Sequence, residues 1–232
     1  LVGDKGFRGV IVQVFKQMSD VYADGERVYA QAGALLSKTA AVACEASLTG
    51  MEFASGIPGT LGGALRMNAG AYGGEMKQIV ESAEVLTSEG EVLNLTNEEL
   101  GMGYRTSVIA KNDYVALSAV LKLEKGDRQE IRAYMEDLKE RRVTKQPLEF
   151  GSAGSTFKRP EGYFAGKLIQ DSGMQGYRVG DAQVSEKHCG FVINRGNATA
   201  AEVMQLMKDV ADRVEEKFGV RLEPEVRRIG EF

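Results

Sequence analysis

The segment at residues 151–160, GSAGSTFKRP, places hydroxyl side chains beside cations. Ser152 and Ser155 lie among glycines, which allow positive φ angles and the close approach of a ligand. Lys158 and Arg159 follow at once and could bind a phosphate or a carboxylate. Taken alone, this segment favours a plain polar turn with exposed basic side chains, because clusters of Gly and Ser most often mark loops.

A second segment, ASGIPGTLGGALRMNAGAYGGE at residues 54–75, is mostly apolar but contains many glycines that interrupt any regular period. Such a backbone can turn repeatedly and present N–H groups to a phosphate or a flat ring. It is neither a Walker A loop, which needs Gly-Lys-Ser/Thr, nor the G-x-G-x-x-G dinucleotide fingerprint. From these residues alone, a cofactor-binding loop and a tightly packed structural turn are equally good interpretations.

Strands are predicted for most of the first half of the chain. The β-type runs are GVIVQVF, RVYAQAGA, SAEVLTSEGEVLNL and DYVALSAVLKLEKG, with hairpin turns at ADGE and TSEGE. Between them, the Ala-rich run ALLSKTAAVACEASL is predicted to form a helix.

Helices are predicted to dominate the second half. Asp127 and Glu130 have the spacing of a capping box, and the helix they start should end before Pro147. Its apolar stripe is Ile131, Tyr134, Met135 and Leu138. The change from strands to helices near Gly126 predicts two domains, at residues 1–125 and 126–232.

A second capping box, Thr199 and Glu202, starts a helix that should end at Gly219 in the C′ position. The apolar face of this helix is Val203, Leu206, Met207, Val210, Val214 and Phe218. We therefore interpret its methionines as core residues.

Composition limits the classes of function. The chain has 232 residues, 43% of them hydrophobic, and a formal net charge of −4, which argues against general affinity for nucleic acid. Cys44 and Cys189 are the only cysteines, and the sequence contains neither a long apolar run nor a signal-peptide pattern at its start. These features predict a cytoplasmic protein with no membrane partner and no metal.

Five motifs together give the chain a recognisable pattern. They are GIPGTLGGALRMNAGAYGGE, GYRTS, GSAGSTFKRP, AGKLIQDSGMQGYRVGDAQVSEKHCGFVIN and LEPEVR, in that order. In sequence and order they resemble the motifs of the UDP-N-acetylenolpyruvoylglucosamine reductase family. The fourth motif is short, and in this it resembles the second of the family's two types. The resemblance implies an FAD enzyme that uses NADPH to reduce UDP-N-acetylglucosamine enolpyruvate to UDP-N-acetylmuramate for peptidoglycan synthesis.

The resemblance also implies an α+β fold with two domains. The first, at residues 1–125, would be an FAD-binding domain of the vanillyl-alcohol-oxidase type, and the second, at residues 126–232, a smaller α+β substrate domain whose tail returns to the active site. Family members carry a Gly-Gly-Gly-Ser-Asn-type loop upstream of FRGVIV. We therefore expect the first domain to be incomplete in this sequence at its N-terminal side.

Three residues gain catalytic roles by the same resemblance. Ser155 would donate a proton to the substrate carbon next to the carboxylate, and Arg105 and Glu225 would act around that carboxylate and the enolate. Ser152 would then be part of the loop only. Glu225 would be protonated or hydrogen-bonded, since an ionised carboxylate beside an enolate would raise the barrier.

Each role has a simpler structural alternative. Considered singly, Arg105 would be an ordinary surface ion-pair partner, and Glu225, close to Arg227 and Arg228, could form a salt bridge of little energetic weight. His188, the single histidine, is equally well interpreted as a structural hydrogen-bonding residue or a substrate contact.

The motifs predict two sets of ligand-binding residues, one for the cofactor and one for the substrate. The predicted cofactor-binding residues are Gly56, Ile57, Pro58, Gly59, Thr60, Gly62, Gly63, Asn68, Ala69 and Gly70. The predicted substrate-binding residues are Lys158, Arg159, Lys167, Tyr177, Arg178, Lys187 and His188. The cations could bind the diphosphate or the carboxylate, and Tyr177 and Arg178 could support either the uridine side or the fold.

Two other functions are alternatives for this sequence. One is a different FAD-dependent oxidase of the same fold; many of these tether the flavin through a histidine in the FAD domain, but His188 lies in the other predicted domain. The second is a truncated, non-catalytic paralogue that binds a UDP-sugar.

Overall fold

The computed structural model describes all residues from Leu1 to Phe232. The helices are α1 (Leu36–Glu45), α2 (Leu61–Met67), α3 (Val108–Lys111), α4 (Arg128–Lys145), α5 (Ala165–Asp171) and α6 (Ala200–Phe218). The strands are β1 (Val21–Asp24), β2 (Arg27–Gln31), β3 (Leu48–Thr49), β4 (Gly70–Ala71), β5 (Gly74–Glu75), β6 (Val80–Leu86), β7 (Val92–Thr96), β8 (Val115–Lys122), β9 (Glu124–Lys125), β10 (Gly151–Ser155), β11 (Arg178–Val179), β12 (Ala182–Val184) and β13 (Phe191–Asn194). Short 3-10 turns cover Lys16–Met18, Glu52–Ala54 and Met76–Gln78.

The chain divides into two compact units. One comprises residues 12–142, and the other comprises residues 1–11 together with 143–232. The predicted boundary near Gly126 lies before α4, whereas this division falls in the last turn of α4. Most of α4 belongs to the unit at residues 12–142 because Met135, on α4, packs against the core of that unit.

The unit at residues 12–142 is built on a five-stranded antiparallel sheet in the order β1-β2-β8-β6-β7. The predicted hairpins are confirmed: β1 and β2 join at the ADGE turn, and β6 and β7 join at TSEGE. Helices α1 and α2 pack against strands of this sheet, and their residues Leu36, Ala40, Leu61 and Leu65 belong to its buried core.

The other unit contains a four-stranded sheet in the order β10-β13-β12-β11, with α6 packed against β11 and β12 and α5 packed against α6. The predicted caps of α6 are confirmed: Thr199 accepts a hydrogen bond from the N–H of Glu202 at 3.1 Å, and Gly219 has a φ of 67°. Leu206, Met207, Val210 and Val214 are buried in its core. Phe218 was predicted to join this face, but it is exposed because it lies at the last, fraying position.

Helix α4 also forms as predicted, with the Asp127 carboxylate accepting from the N–H groups of Gln129 and Glu130. Its buried stripe is narrower than predicted, since Ile131 and Leu138 are buried whereas Tyr134 is exposed. With strands and helices in both units, the predicted α+β class is confirmed.

The predicted strand at GVIVQVF is wrong. Residues 9–15 form no strand, and Val10, Ile11 and Val12 are 89%, 69% and 82% exposed. An apolar run becomes a strand only where a second strand supplies its backbone hydrogen bonds, and no strand in any of the four sheets pairs with it. Among the helices, none is both long enough and apolar enough to cross a bilayer.

Candidate functional site

The glycine-rich segment folds around α2 and is attached to the loop before α1. Leu61 and Gly62 donate their N–H groups to the carbonyls of Ala34 and Ala32, both at 2.8 Å. A Cβ on Gly62 would lie 3.0 Å from the Cβ of Ala32, so this glycine allows the helix to approach the loop closely. In the other direction, Leu36 donates its N–H to Gly59 at 3.1 Å.

The predicted cofactor-binding glycines differ in what surrounds them. A Cβ built on Gly59 would meet no atom within 4 Å, and one on Gly63 would meet only the Thr60 hydroxyl at 3.9 Å. A Cβ on Gly70 would lie 2.8 Å from the carbonyl oxygen of Gly74. Gly59 and Gly63 therefore keep an open space beside the backbone, whereas Gly70 is needed for packing between β4 and β5.

The remaining predicted cofactor-binding residues range from exposed to buried. Pro58 is exposed, Ile57 and Thr60 are half-buried, and Ala69 is buried. Asn68 is buried and has a φ of 45°, in the left-handed region that asparagine tolerates. Its side chain accepts from the N–H of Lys77 at 2.8 Å, so its amide has a structural role.

Asn68 also connects the glycine-rich segment to the turn that carries Arg105. Its Nδ2 donates to the carbonyl of Gly103 at 3.2 Å, and Gly103 and Thr106 close the turn by exchanging backbone hydrogen bonds. Arg105 has a φ of 55°, and its guanidinium lies 5.3 Å from the centroid of the Tyr104 ring. A left-handed backbone at a residue other than glycine costs about 1–2 kcal/mol and persists where its surroundings fix it.

Ser155 is the last residue of β10 and is exposed. Its strand pairs with β13, where Ser155 stands opposite Phe191. Gly154, immediately before it, has a φ of 81° at an irregularity in the pairing, and such bulges redirect side chains. Ser152 is also exposed, and its hydroxyl lies 3.4 Å from the N–H of Gly154, in keeping with a loop role.

Glu225 lies beside Ser155 through backbone pairing. Its N–H donates to the carbonyl of Thr156 at 2.9 Å, and Lys158 donates its own N–H to Glu223 at 2.8 Å. Phe157 and Pro224 form the antiparallel bridge between these two bonds. The unit that contains residues 143–232 thus brings together two of the three predicted catalytic residues, and Arg105 belongs to the unit at residues 12–142.

Several predicted substrate-binding cations already have partners on the protein. Lys158 pairs with Glu223 at 3.0 Å, Lys167 with Asp171 at 2.5 Å, and Arg178 with Asp181 at 3.2 Å. These pairs are exposed, so a ligand anion can compete for the cations at little energetic cost.

Three other predicted substrate-binding residues contact polar or aromatic groups. The guanidinium of Arg159 stacks 3.9 Å from the centroid of the Phe164 ring, and Lys187 donates to the carbonyl of Val143 at 2.9 Å. Tyr177 donates its hydroxyl to Asp209 at 3.1 Å, and this hydrogen bond raises the pKa of the phenol.

His188 has the structural hydrogen bond that was one of its two predicted alternatives. Its Nδ1 accepts from the N–H of Gly190 at 3.1 Å, and its ring meets Phe191 edge-on at 5.0 Å. Burial lowers the pKa of the imidazole, and the positive charge of Lys145 lowers it further. The ring is therefore neutral near pH 7, with Nδ1 as the acceptor.

Arg142 is a feature that sequence reasoning missed. Its Nε is buried and has no hydrogen-bond partner, and it lies beside Gly56 in the glycine-rich segment. The sequence shows Arg142 only within the charged run KERR, which is usually a solvated helix face. The unsatisfied Nε of Arg142 and the open backbone at Gly59 and Gly63 together fit a ligand with an anionic diphosphate.

Comparison with known proteins identifies both parts of the chain. Residues 1–96 match the sequence model of an FAD binding domain, and residues 146–229 match that of the UDP-N-acetylenolpyruvoylglucosamine reductase C-terminal domain. The enzyme named UDP-N-acetylenolpyruvoylglucosamine reductase from Alkaliphilus oremlandii is 59% identical over all of this chain and 76% of its own length. The one from Agathobacter rectalis is 54% identical over all of this chain and 78% of its own length.

A solved structure gives the same result. The crystal structure of UDP-N-acetylenolpyruvylglucosamine reductase from Thermus caldophilus superposes with a TM-score of 0.76 at 38% sequence identity. The match covers 87% of this chain and 72% of that one.

Proposed function

The chain belongs to the UDP-N-acetylenolpyruvoylglucosamine reductase family, and we propose that it uses NADPH to reduce UDP-N-acetylglucosamine enolpyruvate to UDP-N-acetylmuramate. It is a flavin-dependent oxidoreductase of peptidoglycan synthesis, and its cofactor is FAD. The observation that carries this conclusion is identity of 52–59% with reductases over the whole chain.

We propose that the glycine-rich segment holds FAD. The open space beside Gly59 and Gly63 lets a ligand reach the backbone at these two residues, where neither carries a side chain. Held there, FAD would supply the redox chemistry, namely hydride for the terminal vinyl carbon of the substrate with NADPH as the source of electrons. The roles of Asn68, Ala69 and Gly70 are then to hold the segment in shape, since they lie in hydrogen-bonded or packed positions.

Ser155 is proposed as the proton donor. Hydride addition to the vinyl carbon leaves carbanion character on the neighbouring carbon, and that carbon needs a proton to complete the lactyl ether. The Ser155 hydroxyl is exposed at the end of β10, where the Gly154 bulge sets its direction. The strand pairing with β13 fixes its backbone, so the donor does not have to be ordered during the reaction.

Arg105 and Glu225 are proposed to stabilise the charge that develops on the substrate carboxylate and enolate. The turn 103–106 holds the backbone of Arg105 in one conformation, and its guanidinium can donate two parallel hydrogen bonds to a carboxylate. Glu225 would act through hydrogen bonds next to Ser155, since an uncompensated negative charge there would oppose the enolate. The exposed cations Lys158, Lys167 and Arg178 are candidates for the substrate diphosphate.

The test is product formation by the purified protein. We expect the protein loaded with FAD to convert the enolpyruvyl substrate to UDP-N-acetylmuramate with stoichiometric consumption of NADPH, measured by chromatography and mass spectrometry. Saturable binding of the UDP-sugar without NADPH oxidation would instead support a binding module. We further propose a cytoplasmic location, where Cys44 and Cys189, both free thiols, would stay reduced.

A further inference from the structure

Two consecutive arginines near the end of α4 have different surroundings. Arg141 pairs with Asp137 one turn earlier, with its Nη2 2.7 Å from one carboxylate oxygen and its Nε 3.1 Å from the other. Arg142 has its Nε buried and without a hydrogen-bond partner. The first arginine is thus an ordinary exposed surface pair, whereas the second has a donor that nothing on the protein satisfies.

The side chain of Arg142 lies against the glycine-rich segment. A Cβ built on Gly56 would lie 3.0 Å from the Nε of Arg142 and 3.5 Å from its Cδ and Cζ. On the same side chain, the Cζ lies 5.8 Å from the centroid of the Tyr72 ring. Tyr72 has a φ of 53° and Gly73 one of 90°, as in the tight turn of a two-residue hairpin, so the ring is held by β4 and β5.

A buried donor without a partner costs about 1–3 kcal/mol, and more when it is charged. Such groups occur in native proteins where a ligand or ion completes their hydrogen bonds. The ligand that suits a guanidinium is an oxyanion with acceptor oxygens, and arginine is the preferred side chain for phosphate groups. Because Gly56 has no side chain, the guanidinium of Arg142 can lie against the backbone of the segment.

We propose that Arg142 binds the diphosphate of FAD at the glycine-rich segment, with Gly56 kept free of a side chain to admit the guanidinium. This inference rests on the proposed function, in which the glycine-rich segment holds the cofactor. Within the same unit, Arg142 is a cation with an unsatisfied buried donor beside this segment, whereas the exposed substrate-site cations Lys158 and Lys167 belong to the other unit. The substrate diphosphate is therefore the less suitable ligand for it.

The experiment compares FAD with riboflavin, which has the same ring but no diphosphate. Both ligands are titrated into the apoprotein by flavin fluorescence, for the wild type, Arg142→Met, Arg142→Lys and the matched control Arg141→Met. We expect Arg142→Met to raise the Kd for FAD about 10- to 100-fold, as for the loss of a charged hydrogen bond. Its Kd for riboflavin should stay within twofold of the wild type, Arg142→Lys should be intermediate, and Arg141→Met should match the wild type.

Thermal unfolding separates a binding role from a structural one. Because the Nε of Arg142 is unsatisfied without ligand, Arg142→Met should leave the Tm of the apoprotein unchanged or raise it, while the rise in Tm on adding FAD should shrink. Gly56→Ala should give the same pattern, since its Cβ would displace a flexible side chain and not the backbone.

Three results would overturn the proposal. The first is wild-type affinity for FAD in Arg142→Met; the second is an equal loss of FAD and riboflavin binding. The third is a selective loss of UDP-N-acetylglucosamine binding with FAD binding intact, which would assign Arg142 to the substrate. Failure of the wild type itself to bind FAD would refute the proposed function together with this inference, and so is distinguishable from all three.

Discussion

Glu225 donates its backbone N–H to the carbonyl oxygen of Thr156 at 2.9 Å, which places it next to Ser155 across a pair of antiparallel segments. Thr156 is itself fixed, since its N–H donates to Gly190 and its hydroxyl accepts from the N–H of Val192. The backbones of Ser155, the proposed proton donor, and of Glu225 are therefore held by one hydrogen-bonded framework. A shift of either segment would move both groups.

Ser155→Ala should separate the two half-reactions. Reduction of FAD by NADPH needs no proton donor at the substrate, so its rate should stay near that of the wild type. Reoxidation by the enolpyruvyl substrate should slow by about 10²- to 10⁴-fold, the usual contribution of a general acid. Anaerobic stopped-flow absorbance measures both rates.

Two variants serve as controls for Ser155→Ala. Ser155→Cys should retain part of the reoxidation rate, because a thiol can deliver a proton, and Ser152→Ala should behave as the wild type. Equal slowing of both half-reactions in Ser155→Ala would count against the proton-donor role.

Asp4 caps a helix that is distant in sequence. Its carboxylate accepts from the N–H of Ala200 at 2.6 Å and from that of Ala201 at 3.0 Å, at the first turn of α6. Asp4→Ala should lower the free energy of unfolding by about 1–2 kcal/mol, as for loss of an N-cap, and Asp4→Asn should lower it less because an acceptor remains. Urea unfolding followed by circular dichroism measures the loss. An effect under a few tenths of a kcal/mol would show that the contact is not formed in solution.

Gly59 and Gly70 should respond differently to the same substitution. Gly59→Ala places its Cβ in open space, so stability should be unchanged while the Kd for FAD increases. Gly70→Ala brings its Cβ within 2.8 Å of the Gly74 carbonyl, and the resulting backbone shift should cost about 1–3 kcal/mol of unfolding free energy. Chemical unfolding of the apoproteins and FAD titration give the two quantities. The opposite pattern, with Gly59→Ala destabilised and Gly70→Ala unaffected, would contradict the assignment.

His188 should make the protein less stable in mild acid. Its pKa is lowered on folding from an ordinary value of 6.5, chiefly by burial, so the unfolded chain binds a proton more readily. This contribution is fully present above about pH 6.5 and is lost as the pH falls through the lowered pKa. The slope of unfolding free energy against pH should be positive in that window and should decrease in His188→Gln. An unchanged slope in that variant would assign the acid sensitivity to other groups.

The sequence predicted elements whose signals are local. The caps Asp127 and Thr199 and the turns ADGE and TSEGE depend on neighbouring residues, and all of them form as predicted. The run GVIVQVF failed because a strand also depends on a partner strand, which periodicity does not reveal.

The site residues likewise divide into those that the sequence motifs predict and those whose roles depend on tertiary contacts. Motif order identified the family and selected Ser155 and Glu225, which the fold brings next to each other. A role for Arg142 could not be predicted from the sequence. The burial of its Nε without a hydrogen-bond partner depends on the packing of α4 beside Gly56, which is a tertiary contact. The packing role of Asn68 likewise depends on its contact with Gly103, 35 residues further along the chain.

We propose that electrons pass from NADPH through FAD to the enolpyruvyl substrate. The most direct test of this proposal is the visible flavin absorbance of the FAD-loaded protein under anaerobic conditions, first with NADPH and then with UDP-N-acetylglucosamine enolpyruvate. NADPH should bleach the flavin, and the substrate should restore its colour while UDP-N-acetylmuramate is formed. A flavin that NADPH bleaches but the substrate leaves reduced, or a protein that does not bind FAD, would contradict the proposal.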